Sequence, residues 1–179
     1  MVGRVKMNFS TYNNGRGSIC RALFLAALGV LLLGGPVSSS EPLVGVASVI
    51  DGDTLEVHGQ RIRLLGIDAP ESRQTCTKDG KPWRCGKDAA FALSDKIGRK
   101  PVSCEAKGKP DRYGRMIAIC RLGDEDLNAW MVRWGWAMAY RQYSKAYIGE
   151  EAIAREARRG IWASEFTPPW EWRKQDRKQ

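Results

Sequence analysis

Three short segments carry the residue types that could handle a phosphate and a cation. The first is Asp51-Gly52-Asp53-Thr54, the second runs from Arg63 through Gly66, Asp68 and Pro70 to Glu71, and the third is Asp111-Arg112-Tyr113-Gly114-Arg115. Each alone is a turn bearing charges. Together they supply three carboxylates and two guanidinium groups that a suitable fold could bring to one place: Asp53, Asp68 and Glu71 with Arg63 and Arg115.

The donor types narrow the chemistry. Asp53 and Asp68, with a backbone carbonyl near Ala69 and waters, form a hard oxygen set that suits calcium, with Asp51 in support behind Asp53. The chain has one histidine, His58, and no CxxC pair, which argues against a transition metal or zinc. The Asp51–Asp53 segment is only a fragment of a calcium loop, because the third acidic ligand and the distant Glu of an EF-hand are missing. On spacing alone, these aspartates could equally do no more than cap turns.

Positioning such groups requires strands that return the chain to the same edge. Residues 43–50 read as a strand, and residues 54–58 alternate apolar Leu55 and Val57 with polar neighbours. Asp51-Gly52-Asp53 turns between them, and Gly59-Gln60 leads into a third strand over 61–67. Pro70 ends this meander, and residues 72–86 read as a polar surface loop bracketed by Cys76 and Cys85. Helical spacing of Ala89, Leu93 and Ile97 predicts a helix that stops at Gly98. Two more strands follow, 102–106 and 116–122. Acidic residues 124–126 open a helix whose Leu127, Trp130, Met131 and Trp134 form a core-facing stripe, and a last helix spans 148–159.

This order predicts an α+β fold that is mainly a β barrel: a five-stranded OB-type barrel, one helix between strands 3 and 4, and two helices after strand 5. An immunoglobulin-like sandwich would need more strands. The barrel domain is expected over 41–165, with an aromatic and basic tail over 166–179.

The first forty residues read as a signal peptide. Arg4, Lys6, Arg16 and Arg21 precede an apolar run over 22–35, and Pro36 with Ser38, Ser39 and Ser40 supplies a cleavage region. That run is shorter than the roughly 20 residues a membrane span needs, and Cys20 lies on the wrong side of it for a lipoprotein site. Export to a secreted or periplasmic location follows, with no stable membrane association once the signal is removed. The segment carries four of the nine net positive charges, so five remain: permissive for a polyanionic partner, but not diagnostic.

Four cysteines remain beyond the signal, enough for two disulfides in an oxidising compartment. Cys104 and Cys120 lie almost symmetrically about the turn at 111–114, so a hairpin would set them face to face. Cys76 and Cys85 then close the local loop. The predicted pairs are Cys76–Cys85 and Cys104–Cys120.

In this order and separation, the segments IDGDT, RLLGIDAPE and DRYGR resemble the staphylococcal nuclease (thermonuclease) family. The resemblance covers 44–162, including Gly160-Ile161-Trp162. It implies calcium-dependent hydrolysis of phosphodiester bonds in DNA, and in RNA as a further substrate. It also implies roles by position: Asp53, Asp68 and the Ala69 carbonyl on calcium, Arg63 and Arg115 on the phosphate, and Glu71 on the attacking water. Arg112 and Tyr113 are implied near a phosphate, with Tyr140 and Tyr143 near a base. Stacking and phosphate contacts carry no sequence information, so little sequence selectivity is expected, and the protein is expected to act as a monomer.

Two departures stand out. Ala69 replaces the threonine that the staphylococcal enzyme has there, and the loop 76–85 has no counterpart in that cysteine-free protein. The alternative from another class is an OB-fold nucleic-acid or protein binding module that has lost catalysis. A cysteine-stapled structural domain would leave the motif residues in turns by coincidence.

Overall fold

The structure, a computed structural model, describes residues 41–178. The expected signal peptide, with Cys20, lies outside the described residues. Eleven short strands and four helices follow in chain order: β1 Leu43–Val46, β2 Ser48–Asp51, β3 Thr54–Val57, β4 Gln60–Leu64, β5 Ile67–Asp68, β6 Cys76–Lys78, β7 Lys81–Trp83, α1 Cys85–Ile97, β8 Pro101–Ala106, β9 Met116–Leu122, β10 Glu125–Asp126, α2 Leu127–Arg133, β11 Met138–Ala139, α3 Ile148–Glu156 and α4 Pro169–Asp176.

The main sheet runs β1-β8-β9-β4-β3-β2, with β10 added to β9. Its two end strands, β1 and β2, are separated in sequence only by Ala47, so the sheet curls back towards its own start. The expected single strand over 43–50 is therefore two. It divides at Ala47 because its first half pairs with β8 and its second with β3.

Alternation along the strands fills the interior. Leu55 and Val57 of β3, Ile62 and Leu64 of β4, Val102 and Cys104 of β8, and Ala118 and Cys120 of β9 are all buried in one cluster. Ala89, Leu93 and Ile97 of α1 close it from one side, and Leu127, Met131 and Val132 of α2 from the other. Each large aliphatic side chain so placed contributes about 1.5–3 kcal/mol.

The arrangement is α+β and of the OB type, as expected, with α1 between the third long strand and β8. Several expectations need correction. Residues 72–86 are not a structureless loop: β6 and β7 form a hairpin turned by Asp79 (φ 51°) and Gly80 (φ 72°). Helix α1 begins at Cys85, one turn earlier than the apolar spacing indicated. Three α-helices follow β9 rather than two, besides a short 3-10 helix at Gly160–Ala163, because the tail contains α4, opened by Pro169 at its first turn. The last predicted helix, α3, ends at Glu156. Trp134 is not core: α2 stops at Arg133, and Trp134 is 45% exposed, with the Arg159 guanidinium over its ring at 4.7 Å.

Both disulfides form. Cys104 and Cys120 are direct partners in the β8–β9 register, with Cα atoms 4.1 Å apart. Cys76 and Cys85 join β6 to the start of α1. Among the described residues, no helix is long and apolar enough to cross a membrane.

Candidate active site

Asp53 sits in the turn between β2 and β3. Its backbone N–H donates to Asp51 Oδ1 at 3.0 Å, which places Asp51 as a buttress behind it. Gly52 in the middle of this turn has no room for a side chain, since a Cβ there would lie 2.7 Å from the Ala69 Cβ. The turn therefore packs directly on the segment that carries Asp68. Asp53 Oδ2 accepts the Ala69 N–H at 2.8 Å, and the two motifs are tied together.

Arg63 bridges both aspartates. Its Nη2 lies 2.9 Å from Asp53 Oδ2 and 2.8 Å from Asp68 Oδ1, although Arg63 is the antiparallel partner of Thr54 rather than a neighbour of either aspartate. Asp68 is fully buried and Asp53 nearly so.

Arg115 arrives from the β8–β9 hairpin. Asp111 builds that turn: its Oδ1 accepts the backbone N–H groups of Tyr113 at 2.9 Å and Arg115 at 3.0 Å, and its Oδ2 accepts Arg115 Nε at 2.8 Å. Burial alone would raise the Asp111 carboxyl, but these hydrogen bonds outweigh it and hold the group below its ordinary value. Arg115 then reaches Thr54 Oγ1 at 3.5 Å, and that hydroxyl donates to Asp53 Oδ1 at 3.1 Å. Arg115, Thr54, Asp53, Arg63 and Asp68 thus form one connected chain of polar contacts.

Glu71 is fixed through its backbone. Its N–H donates to Gln74 Oε1 at 3.3 Å, its carbonyl accepts the Gln74 N–H at 2.7 Å, and Gly86 packs so closely that a Cβ there would lie 1.7 Å from that carbonyl oxygen. Its side chain pairs with Arg173 of α4 at 2.7 Å, and Arg173 also holds both oxygens of Asp68.

The electrostatics are those of carboxylates crowded together. Burial, then the charge of Asp53, pushes the Asp51 carboxyl up to about 7. Burial also works to raise Asp68, against hydrogen bonds from Arg173 and the charge of Arg63. Burial would lower Arg173, but Asp68 and Glu71 outweigh it and raise it.

As a cation site the donor set fits. Two buried carboxylates converge on a single positively charged nitrogen of Arg63, and the backbone of Ala69 lies against one of them. Among the described residues, no cluster of three or more His, Cys, Asp or Glu side chains offers a fuller cage. Asp53 and Asp68 would hold the ion, with remaining positions left for a backbone carbonyl, water or substrate oxygens.

The residues implied for substrate lie around this centre at different depths. Tyr113 is 67% exposed at the hairpin tip, with the guanidinium groups of Arg112 and Arg115 at 4.7 Å and 5.4 Å from its ring. Tyr140 follows β11, which pairs with β5 and so runs beside Asp68. Burial, then the Asp68 charge, raises its hydroxyl. Tyr143 is exposed and meets the Tyr140 ring edge-on at 5.0 Å. His58 is an exposed turn residue with φ 51°.

Three residues at the site were not singled out from sequence. Buried Gln74 pins Glu71, Arg173 contacts Asp68 and Glu71, and Trp170 stacks on Tyr140 with ring planes 2° apart. The only sequence signal for the last two was Pro169 opening a run of aromatic and basic residues.

The site thus gathers Arg63, Arg115, Asp53, Asp68 and Glu71 on an OB-type barrel, and similarity to known proteins gives the class, that of the nucleases. The sequence model described as staphylococcal nuclease homologue matches residues 61–164. The chain is 37% identical to the succinoglycan biosynthesis protein ExoI of Rhizobium meliloti, over 83% of this chain and 80% of that one. It is 34% identical to a micrococcal nuclease of Shigella flexneri (72% and 79%) and 30% identical to the thermonuclease of Staphylococcus hyicus (79% and 88%). This chain belongs to the staphylococcal nuclease family.

Proposed function

We propose that the protein is an exported, calcium-dependent nuclease that hydrolyses phosphodiester bonds of DNA, and of RNA, with little sequence selectivity. The observation that carries this reading is the single Arg63 nitrogen within 3 Å of both Asp53 and Asp68, with Arg115 linked to the same aspartate through Thr54.

Attack of water on phosphorus builds negative charge on the phosphoryl oxygens as the ester bond breaks. Arg63 and Arg115 would donate hydrogen bonds to those oxygens, which planar guanidinium groups do in pairs. Calcium, when bound, supplies further positive charge at the same place. Glu71, with its side chain about one-third exposed, is the carboxylate available to orient the water and accept its proton. The exposed Tyr113 and Tyr143 carry rings on which any base could stack, which supports low selectivity, while Tyr140 is already stacked on Trp170.

The basic and apolar character of residues 1–35, together with two disulfides, supports export, since disulfides persist in oxidising compartments. The test is digestion of single-stranded DNA, duplex DNA and RNA, first with calcium and then with a chelator. Cleavage that depends on calcium is expected. Folded protein that cuts none of the three with calcium present would sink the proposal.

A further inference from the structure

Arg173 lies on α4, beyond the 61–164 span of the family match. Its Nη1 donates to Asp68 Oδ1 at 3.0 Å and to Glu71 Oε1 at 2.7 Å, and its Nη2 donates to Asp68 Oδ2 at 2.8 Å. Arg63 shares Asp68 Oδ1 from the other side. Neither oxygen of Asp68 is left without a guanidinium partner.

The helix that presents Arg173 is firmly seated. Trp170, three residues earlier, stacks flat on Tyr140 with ring centroids 5.5 Å apart. Gln74 Nε2 donates to the Thr167 carbonyl at 2.7 Å, Pro169 is buried, and Arg73 pairs with Asp176 while lying over the Trp172 ring. The guanidinium, by contrast, ends a long flexible stem, and the side chain is 33% exposed.

We propose that Arg173 competes with the divalent cation for Asp68, so that the ion binds only when the guanidinium swings off the carboxylate, and Arg173 sets the cation concentration at which the site loads. This rests on the calcium reading given above. A guanidinium bidentate on Asp68 and a divalent cation on the same carboxylate are like charges drawn to the same two oxygens, so each opposes the other, while Arg63 stays on Asp53 and Asp68 in wild type and variants alike. Apparent affinity for the ion then falls by the fraction of molecules in which Asp68 is open.

The experiment is calorimetric titration of the purified protein and its R173Q and R173K variants with calcium chloride, without nucleic acid, paired with thermal unfolding in chelator and in saturating calcium. R173Q is expected to bind calcium about tenfold to a hundredfold more tightly, corresponding to a site open in about one molecule in ten to one in a hundred. R173K, which keeps the charge but cannot span both oxygens, falls between. In chelator R173Q melts below the wild type, because buried Asp68 has lost a counter-charge, and calcium narrows that gap. Equal or weaker calcium binding in R173Q, with the melting gap unchanged by calcium, overturns the proposal while leaving the nuclease reading intact. Failure of wild type and variants alike to bind calcium would refute both.

Discussion

Arg63 and Asp68 are five residues apart and meet side chain to side chain, Nη2 to Oδ1 at 2.8 Å. The chain can fold back so sharply because Gly66, between β4 and β5, takes φ 75°, and a Cβ there would lie 2.7 Å from the Ser144 Cβ. The same Arg63 nitrogen reaches Asp53. One guanidinium thus pairs with two buried carboxylates and marks where they converge.

Replacing the two arginines should cost similar rate but different stability. R115A removes a partly exposed group whose main anchor is Asp111, so the melting temperature should change little while kcat/KM falls by about 10²–10³-fold, the scale of losing one preorganised donor. R63A should show a comparable loss in rate and also be less stable by about 3–5 kcal/mol without calcium, because two buried carboxylates lose a partner. Initial rates on duplex DNA with denaturant melts of the same samples check both. Wild-type rates in R115A would remove Arg115 from the site.

That the residues of this centre come together was legible in the sequence only through the order of three segments and their family resemblance, since spacing alone left the aspartates as turn caps. Asp51, Asp53, Arg63, Asp68, Glu71 and Arg115 lie in or beside tight turns whose Gly and Asp residues announce them, and the register of β3, β4 and β9 then brings the turns together. The Asp79-Gly80 hairpin signal was also present, but a polar, Cys-bracketed stretch without periodicity hid it. Arg173 and Trp170 were not legible. Their role depends on where α4 docks, and no spacing within an aromatic, basic tail states which surface will receive it. Buried Gln74 is hidden for the same reason: its partners Glu71 and Thr167 meet only in three dimensions.

Gly86 should tolerate no side chain. G86A places a methyl 1.7 Å from the Glu71 carbonyl oxygen and 3.1 Å from that of Pro70, so the backbone bearing Glu71 must shift. A destabilisation of about 1–3 kcal/mol is expected from such overpacking. Activity should fall further than stability alone explains, because Glu71 moves with its backbone. Comparing G86A with G149A, a glycine in the first turn of α3 where a Cβ meets nothing within 4 Å, controls for replacing a helical glycine that has room for a methyl.

Asp111 provides a pH signature. Its carboxyl is held below the ordinary 3.8 by hydrogen bonds from Tyr113 and Arg115, despite burial acting the other way. A depressed folded-state value means that the stabilisation is fully present above about pH 4 and is lost as pH falls through the lowered value. The stability difference between wild type and D111N should therefore be constant from neutral pH down to about 5 and then shrink as the solution is acidified further. Urea melts across that range test it, and a difference that grows on acidification would contradict the assignment.

The Cys104–Cys120 bond should matter more to stability than to chemistry. It closes a loop of sequence separation 16 between directly opposed residues at the heart of the β8–β9 pair, and both sulfurs are fully buried. Restricting the unfolded chain by a loop of that size contributes about 3 kcal/mol, so the C104A/C120A double variant should melt lower by that order. Its surviving folded molecules should keep the turn at Asp111–Arg115, which is built by Asp111 hydrogen bonds rather than by the disulfide. Activity per folded molecule is then expected to stay near wild type at low temperature. If instead the rate collapses while circular dichroism reports a native fold, the disulfide is positioning Arg115 directly, and the hairpin is not self-supporting.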